Sequence, residues 1–113
     1  MDIILDFFDL QLEAKLFNNK IAEKFMSFLP YTISLTQWGN ELYGSIGKKL
    51  GKENPVSIIQ EGGLAYTERG SYFCVFFGQN PAWPVEYIGQ IKSQQWKALL
   101  SHQFDKMKIY KKE

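Results

Sequence analysis

A surplus of either charge is what this sequence most conspicuously lacks. Lys and Arg number 13 against 12 Asp and Glu, a formal charge of +1 over 113 residues. Nucleic-acid binding draws on a basic excess or a basic stripe, so nucleic acid is not an expected partner. The lysines at 48, 49 and 52 and from 106 to 112 read as solubilising faces. Cysteine occurs once, at Cys74, which excludes an intrachain disulfide framework and removes any demand for an oxidising compartment. Histidine also occurs once, at His102. A zinc site would then need two or more carboxylates at ligand spacing, and no such spacing is present. No metal and no cofactor are expected. Apolar runs stay far below the ~20 residues that span a bilayer. The opening MDIILDFFDL has neither the positive start nor the small-residue cleavage site of a signal peptide. The expectation is one cytoplasmic domain over residues 1–113, without membrane contact.

What is abundant is aromatic: 16% of residues, from nine Phe, six Tyr and three Trp. Their placement follows from the periodicity. Phe8, Leu10, Leu12, Ala14 and Leu16 alternate with Asp9, Gln11, Glu13 and Lys15, the period-2 pattern of a strand with one wet face. With Ile3 to Phe7 ahead of it the run is too long for one strand. It reads as two strands folded near Asp9, although no Gly or Pro marks the turn.

Asn18 or Asn19 can cap a helix on which Ile21, Ala22, Phe25, Phe28 and Leu29 share a face, closed by Pro30. Tyr31 to Trp38 alternates again, and Glu41 to Tyr43 resumes after Gly39. Gly44 to Pro55, with three glycines and three lysines, reads as an exposed mobile loop. Its GSIGKKLGK lacks the Walker A spacing and no helix pattern follows it, so it is not a phosphate cradle.

Val56 to Gln60 reads as a short strand. Leu64 to Thr67 and Tyr72 to Phe77 read as a hairpin closed by Glu68 to Ser71. The second of these is apolar throughout, so both its faces must be covered, by the core or by a loop. After a loop from Gly78 to Pro84, Val85 to Ile91 forms a strand. Ser93 caps a second helix carrying Trp96, Leu99, Leu100 and Phe104, and Met107 to Tyr110 is the last strand. The fold class is mainly β, about eight short strands and two helices. That count suits closure into a barrel, which removes exposed sheet edges.

In order, the segments FLPYT, WGNELY, ENP, GGLAY, FCVFFGQNP and EYIGQI, spanning Phe28 to Ile91, resemble the cyclophilin-like domain family of short bacterial and archaeal proteins. The resemblance implies a closed eight-stranded barrel capped by two α-helices. True cyclophilins isomerise Xaa-Pro bonds with one essential arginine beside a Phe-His pair, the arginine favouring the twisted amide of the transition state. The single arginine here, Arg69, falls in a hairpin tip beside no Phe-His pair, and WGNELY contains none. Standard prolyl isomerase chemistry is not expected, and Lys is a poor substitute for the planar guanidinium.

Two constellations are the candidate site. The first joins Trp38, Glu41 and Tyr43 to Tyr66 and the strand end Phe76-Phe77-Gly78, provided that a bulge at Gly39 turns Trp38 to the side of Glu41 and Tyr43. A carboxylate among rings would have a raised pKa and can serve as acid, base or cation acceptor. The plainer alternative makes Trp38 and Tyr43 core fillers and Glu41 a solvated strand residue. The second is the loop from Gly78 to Pro84, in which Asn80 and Trp83 sit among two prolines as a stiff rim; alternatively Trp83 merely covers the barrel edge.

Cys74 reads as a packing residue, and His102 as a charge near a helix C-terminus. The expectation is a barrel with an aromatic mouth that binds a small molecule or extended peptide, as a monomer or homodimer. The alternatives are an enzyme, either a divergent prolyl isomerase or one using Glu41 as acid or base helped by Tyr43 or Tyr66, and a structural, oligomer-forming barrel.

Overall fold

The N-terminal alternation does fold back on itself. In a computed structural model that describes residues 1–113, β1 (Asp2–Asp6) and β2 (Gln11–Leu16) pair antiparallel, with Asp6 opposite Gln11. Ile3, Leu5, Leu12, Ala14 and Leu16 are buried. The turn needs neither Gly nor Pro because Asp6 supplies its hydrogen bond: the Asp6 carboxylate accepts from the Phe8 N–H at 2.8 Å. Phe8 takes a φ of +75° there. The alternation is lost in the turn, so Phe8 is 60% exposed instead of joining the inward row.

Asn19, not Asn18, caps α1 (Lys20–Met26), its side-chain oxygen accepting from the Ala22 N–H at 2.9 Å. Its amide also donates to the Tyr87 carbonyl, joining the helix start to the sheet. Ile21, Ala22 and Phe25 are buried. Phe28 lies past the helix end and is exposed.

The remaining strands are β3 (Tyr31–Ser34), β4 (Thr36–Gln37), β5 (Glu41–Ser45), β6 (Gly63–Thr67), β7 (Tyr72–Phe76), β8 (Glu86–Ile91) and β9 (Lys106–Lys111). They form one antiparallel sheet in the order β3-β9-β1-β2-β8-β6-β7-β5-β4. Nine strands form where about eight are expected, and the run from Tyr31 to Trp38 is divided at Leu35, which sends its N–H to the Asp105 carbonyl. That break lets the barrel nearly close. The two edge strands, β3 and β4, are consecutive pieces of one chain segment, so a single bent run serves both edges and little edge is left to pair with another chain. At the crossing, Gly44 of β5 lies against the Ser34 carbonyl and the Ile33 side chain, where a Cβ would overlap both.

Val56 to Gln60 is not a strand. Val56 only exchanges two backbone hydrogen bonds with Val85, at 2.8 and 2.9 Å. Antiparallel continuation would set residues 57–60 against Pro84, Trp83, Ala82 and Pro81, and proline has no N–H to give a ladder, so the bridge does not extend. The second helix is a 3₁₀ helix from Gln95 to Ser101, without a side-chain cap. Its threefold period aligns Trp96 with Leu99, which is buried, and leaves Leu100 exposed.

The segment from Gly44 to Pro55 is strapped down despite its composition. Leu50 is fully buried, and the Tyr66 hydroxyl accepts from the Leu50 N–H and donates to the Lys48 carbonyl, both at 3.0 Å. The Glu86 carboxylate accepts from the N–H groups of Glu53 and Asn54. Tyr66→Phe leaves the buried Leu50 N–H without its partner, which costs about 1–3 kcal/mol. The expected readout is a lower denaturation midpoint together with faster amide exchange at Leu50. Unchanged exchange there would show that the strap is held by other contacts.

Strand β7 explains its own uniform hydrophobicity. Phe73 and Val75 point into the barrel with the main core, whereas Cys74 and Phe76 join Ile59, Ala65 and Val85 in a second apolar cluster on the outer wall. No helix is long and apolar enough to cross a membrane.

Candidate functional site

Strand parity builds the site. Tyr43 pairs with Cys74 and Cys74 with Ala65; Glu41 pairs with Phe76; Thr67 pairs with Tyr72. These side chains therefore share the outer face of β5, β7 and β6. A cleft of about 360 Å³ opens on this face, within the range of small-molecule sites. Its floor is Tyr43, Cys74 and Phe76, and Trp38 and Trp83 stand at its sides.

Trp38 reaches this face by a turn, not a bulge. Trp38 and Glu41 exchange backbone hydrogen bonds at 2.9 and 3.2 Å across Gly39 and Asn40, and Gly39 has a φ of +60°. As the closing pair of a hairpin, the two residues face the same way. Gln79 braces the turn, accepting from the Asn40 N–H at 2.7 Å and donating to the Trp38 carbonyl at 3.1 Å. The loop after β7 is thereby tied to the hairpin before β5. Trp83 is held in its turn: its indole N–H donates to the Thr67 hydroxyl at 2.9 Å, and the Arg69 guanidinium lies 4.4 Å from its ring centre.

Glu41 is the one acidic side chain lining the cleft. It is 7% exposed. Burial raises its carboxyl pKa above the ordinary carboxylate range, against the opposing hydrogen bonds of Cys74 and Gln79. The Cys74 thiol is pushed well up, by burial first and then by the Glu41 charge and hydrogen bond. Cys74 is accordingly a protonated thiol at neutral pH and a poor nucleophile.

Of the residues singled out in the sequence, the structure brings Trp38, Glu41, Tyr43, Phe76 and Trp83 together in this cleft. Tyr66, Phe77 and Asn80 are elsewhere. Tyr66 alternates with Ala65 and Thr67, so it points into the barrel and holds the 48–50 backbone. Phe77 continues the inward row of Phe73 and Val75. Asn80 lies beyond the lining, its side-chain oxygen accepting from the Ile59 N–H at 3.4 Å. The site is consequently on the wall of the barrel and not at its mouth, whose interior is packed. Tyr72, Thr67 and Val85 also line the cleft and lie outside both sequence constellations; the β5–β7–β6 register indicates the first two by parity.

Beyond Trp83 lies a second, more polar cleft that includes Lys52, Glu68 and Arg69. Arg69 lines this second cleft and not the first. His102 sits at the end of the 3₁₀ helix, 3.2 Å from the Ala98 carbonyl. The molecule contains no group of three or more His, Cys, Asp or Glu arranged to hold a metal ion.

Two solved structures share this architecture. The hypothetical protein AF2241 from Archaeoglobus fulgidus is 23% identical with a TM-score of 0.79, the match covering 99% of this chain and 95% of that one. McbB, in a structure in complex with tryptophan, is 16% identical with a TM-score of 0.75, over 97% of this chain and 44% of its own longer chain. At these identities the likeness is one of fold. No curated protein matches the chain. The family model described as Cyclophilin-like matches residues 1–110, and with the barrel and the order of its segments already in place, the chain belongs to the cyclophilin-like family.

Proposed function

We propose that this protein is a ligand-binding module whose outer-wall cleft holds a small molecule or an extended peptide segment, without the arginine-based prolyl isomerisation of true cyclophilins. The observation that carries this reading is the cleft itself: an apolar, aromatic-walled cavity with one buried carboxylate, braced by Gln79 and by the Trp83–Thr67 hydrogen bond. Such bracing holds binding groups in place before the ligand arrives, which lowers the cost of ordering them. The fold neighbour McbB was solved in complex with tryptophan, which supports including small aromatic molecules among the compounds tested. The separation of Arg69 from the cleft lining argues against the isomerase.

Titration with proline-containing peptides and a fragment library, followed by tryptophan fluorescence, tests the proposal. Saturable quenching by some of these compounds is expected, with Trp38→Phe changing its amplitude. No saturable response to any compound, with Trp38→Phe behaving as wild type, would overturn it.

A second reading is acid–base catalysis by Glu41, favoured by the burial that raises its pKa. Its proposed helper is Tyr43, because Tyr66 faces the core. It requires Glu41→Gln to abolish turnover of a compound that still binds.

A further inference from the structure

The cleft contains a buried acid without a counter-cation. Every ion pair in the molecule lies elsewhere: Lys20 with Glu53, Lys92 with Asp2 and Glu13, and Lys112 with Glu13. The groups facing Glu41 are uncharged. Cys74 and Gln79 are close enough to influence its titration, Tyr43 comes from its own strand, and Tyr72 from β7. The nearest guanidinium, Arg69, is engaged with Trp83 and belongs to the adjoining cleft. A carboxylate this buried normally has a cation beside it, because desolvating an unpaired charge is costly.

The walls have the matching character. Trp38, Tyr43, Tyr72 and Trp83 line the cleft together with the acid, and aromatic rings attract cations through their quadrupoles. The same preference is seen at one of these rings, where Arg69 lies over Trp83. Phe76, Ala82 and Val85 supply apolar surface beyond the acid.

We infer that the ligand of this cleft is an organic ammonium ion, its charged nitrogen seated against the Glu41 carboxylate within the aromatic wall and its apolar body lying along Phe76 and Val85. The inference rests on the reading of the cleft as a binding site and specifies the chemical class that the site selects. Discrimination comes from the acid. A neutral molecule of the same shape leaves the carboxylate desolvated and unpaired, whereas an ammonium ion satisfies it. Binding also favours the ionised form of Glu41, so affinity for the ammonium ion falls as acidification protonates the free protein's carboxyl.

The test compares 2-phenylethylammonium with 2-phenylethanol, which have similar size and differ in charge. Calorimetric titration of the wild-type protein at pH 7 is expected to show the ammonium ion binding at least tenfold tighter. The ratio collapses toward one in Glu41→Gln, and shrinks in wild type as the pH falls toward 4.5. Circular dichroism establishes that Glu41→Gln is folded, and the wild-type pH series stands independently of the variant. Equal binding of both compounds, unaffected by Glu41→Gln, would overturn the cation inference and leave the binding site standing. Binding of neither compound, while other fragments quench Trp38 and Trp83 saturably, would also overturn it without touching that reading. Failure of every compound would remove both.

Discussion

Gly44→Ala is expected to lower the melting temperature by on the order of 10 °C. An alanine Cβ at this position meets the Ser34 carbonyl oxygen and the Ile33 methyl at overlapping distance. One obstacle is backbone on the facing segment and the other is a fully buried side chain, so neither is free to move aside. Overpacking of this kind costs about 1–3 kcal/mol, and a rigid crossing puts it at the upper end. The effect is specific to barrel closure. Strand β3 reaches across β5 here because one bent segment must serve both edges of the sheet, and the crossing is possible only without a side chain. Gly47→Ala is the comparison: a Cβ there meets nothing within 4 Å, and its φ of +66° costs only backbone strain, about 1–2 kcal/mol. Thermal denaturation of the two variants separates the accounts. An unchanged melting temperature for Gly44→Ala would mean that the two strands do not cross in contact.

Glu41→Gln is expected to stabilise the protein at neutral pH while weakening the binding described above. Burial raises the pKa of this carboxyl in the folded state above its ordinary value of 4.5. The folded state therefore favours the protonated acid. Its contribution to stability is complete below the unfolded pKa and is lost as the pH rises through the folded pKa. At pH 7 the wild-type protein carries a desolvated charge that glutamine does not. The variant should melt above wild type at pH 7, and the difference should close as the pH is lowered below 4.5. A variant that melts at or below the wild-type temperature at pH 7 would show that Glu41 is stabilised in its ionised form by the fold alone. Loss of stability retained for the sake of a binding group is a familiar feature of functional sites.

Much of this architecture is legible in the sequence because strand periodicity is a local property. The alternation from Leu12 to Leu16, the Asn19 cap and the doubly apolar β7 all follow from residue order. What is not legible depends on partners distant in the chain. The Asp6 carboxylate makes the first turn without Gly or Pro. Val56 begins what resembles a strand, but its antiparallel continuation meets Pro84 and Pro81. Leu50, in a glycine- and lysine-rich stretch, is fixed by a tyrosine sixteen residues further on. The site shows the same division. Trp38, Glu41, Tyr43 and Trp83 stand out by chemistry, and the structure brings them together. Tyr66 and Phe77 are equally aromatic but have the opposite parity, and parity across three strands becomes visible only once the Tyr43–Cys74 register is known. The aromatic surplus divides accordingly, with Phe25, Phe73 and Tyr66 inside the barrel and Trp38, Tyr43 and Trp83 on its wall.

The three tryptophans make the central claim directly testable. Trp38 and Trp83 line the cleft, whereas Trp96 lies on the 3₁₀ helix against Gly62. A single ¹⁵N–¹H correlation spectrum recorded during titration with a bound fragment follows all three indole N–H resonances. Binding in the outer-wall cleft predicts saturable shifts of the Trp38 and Trp83 indoles with Trp96 stationary. A shift of Trp96 alone, with Trp38 and Trp83 unmoved, would place the ligand elsewhere and contradict the account.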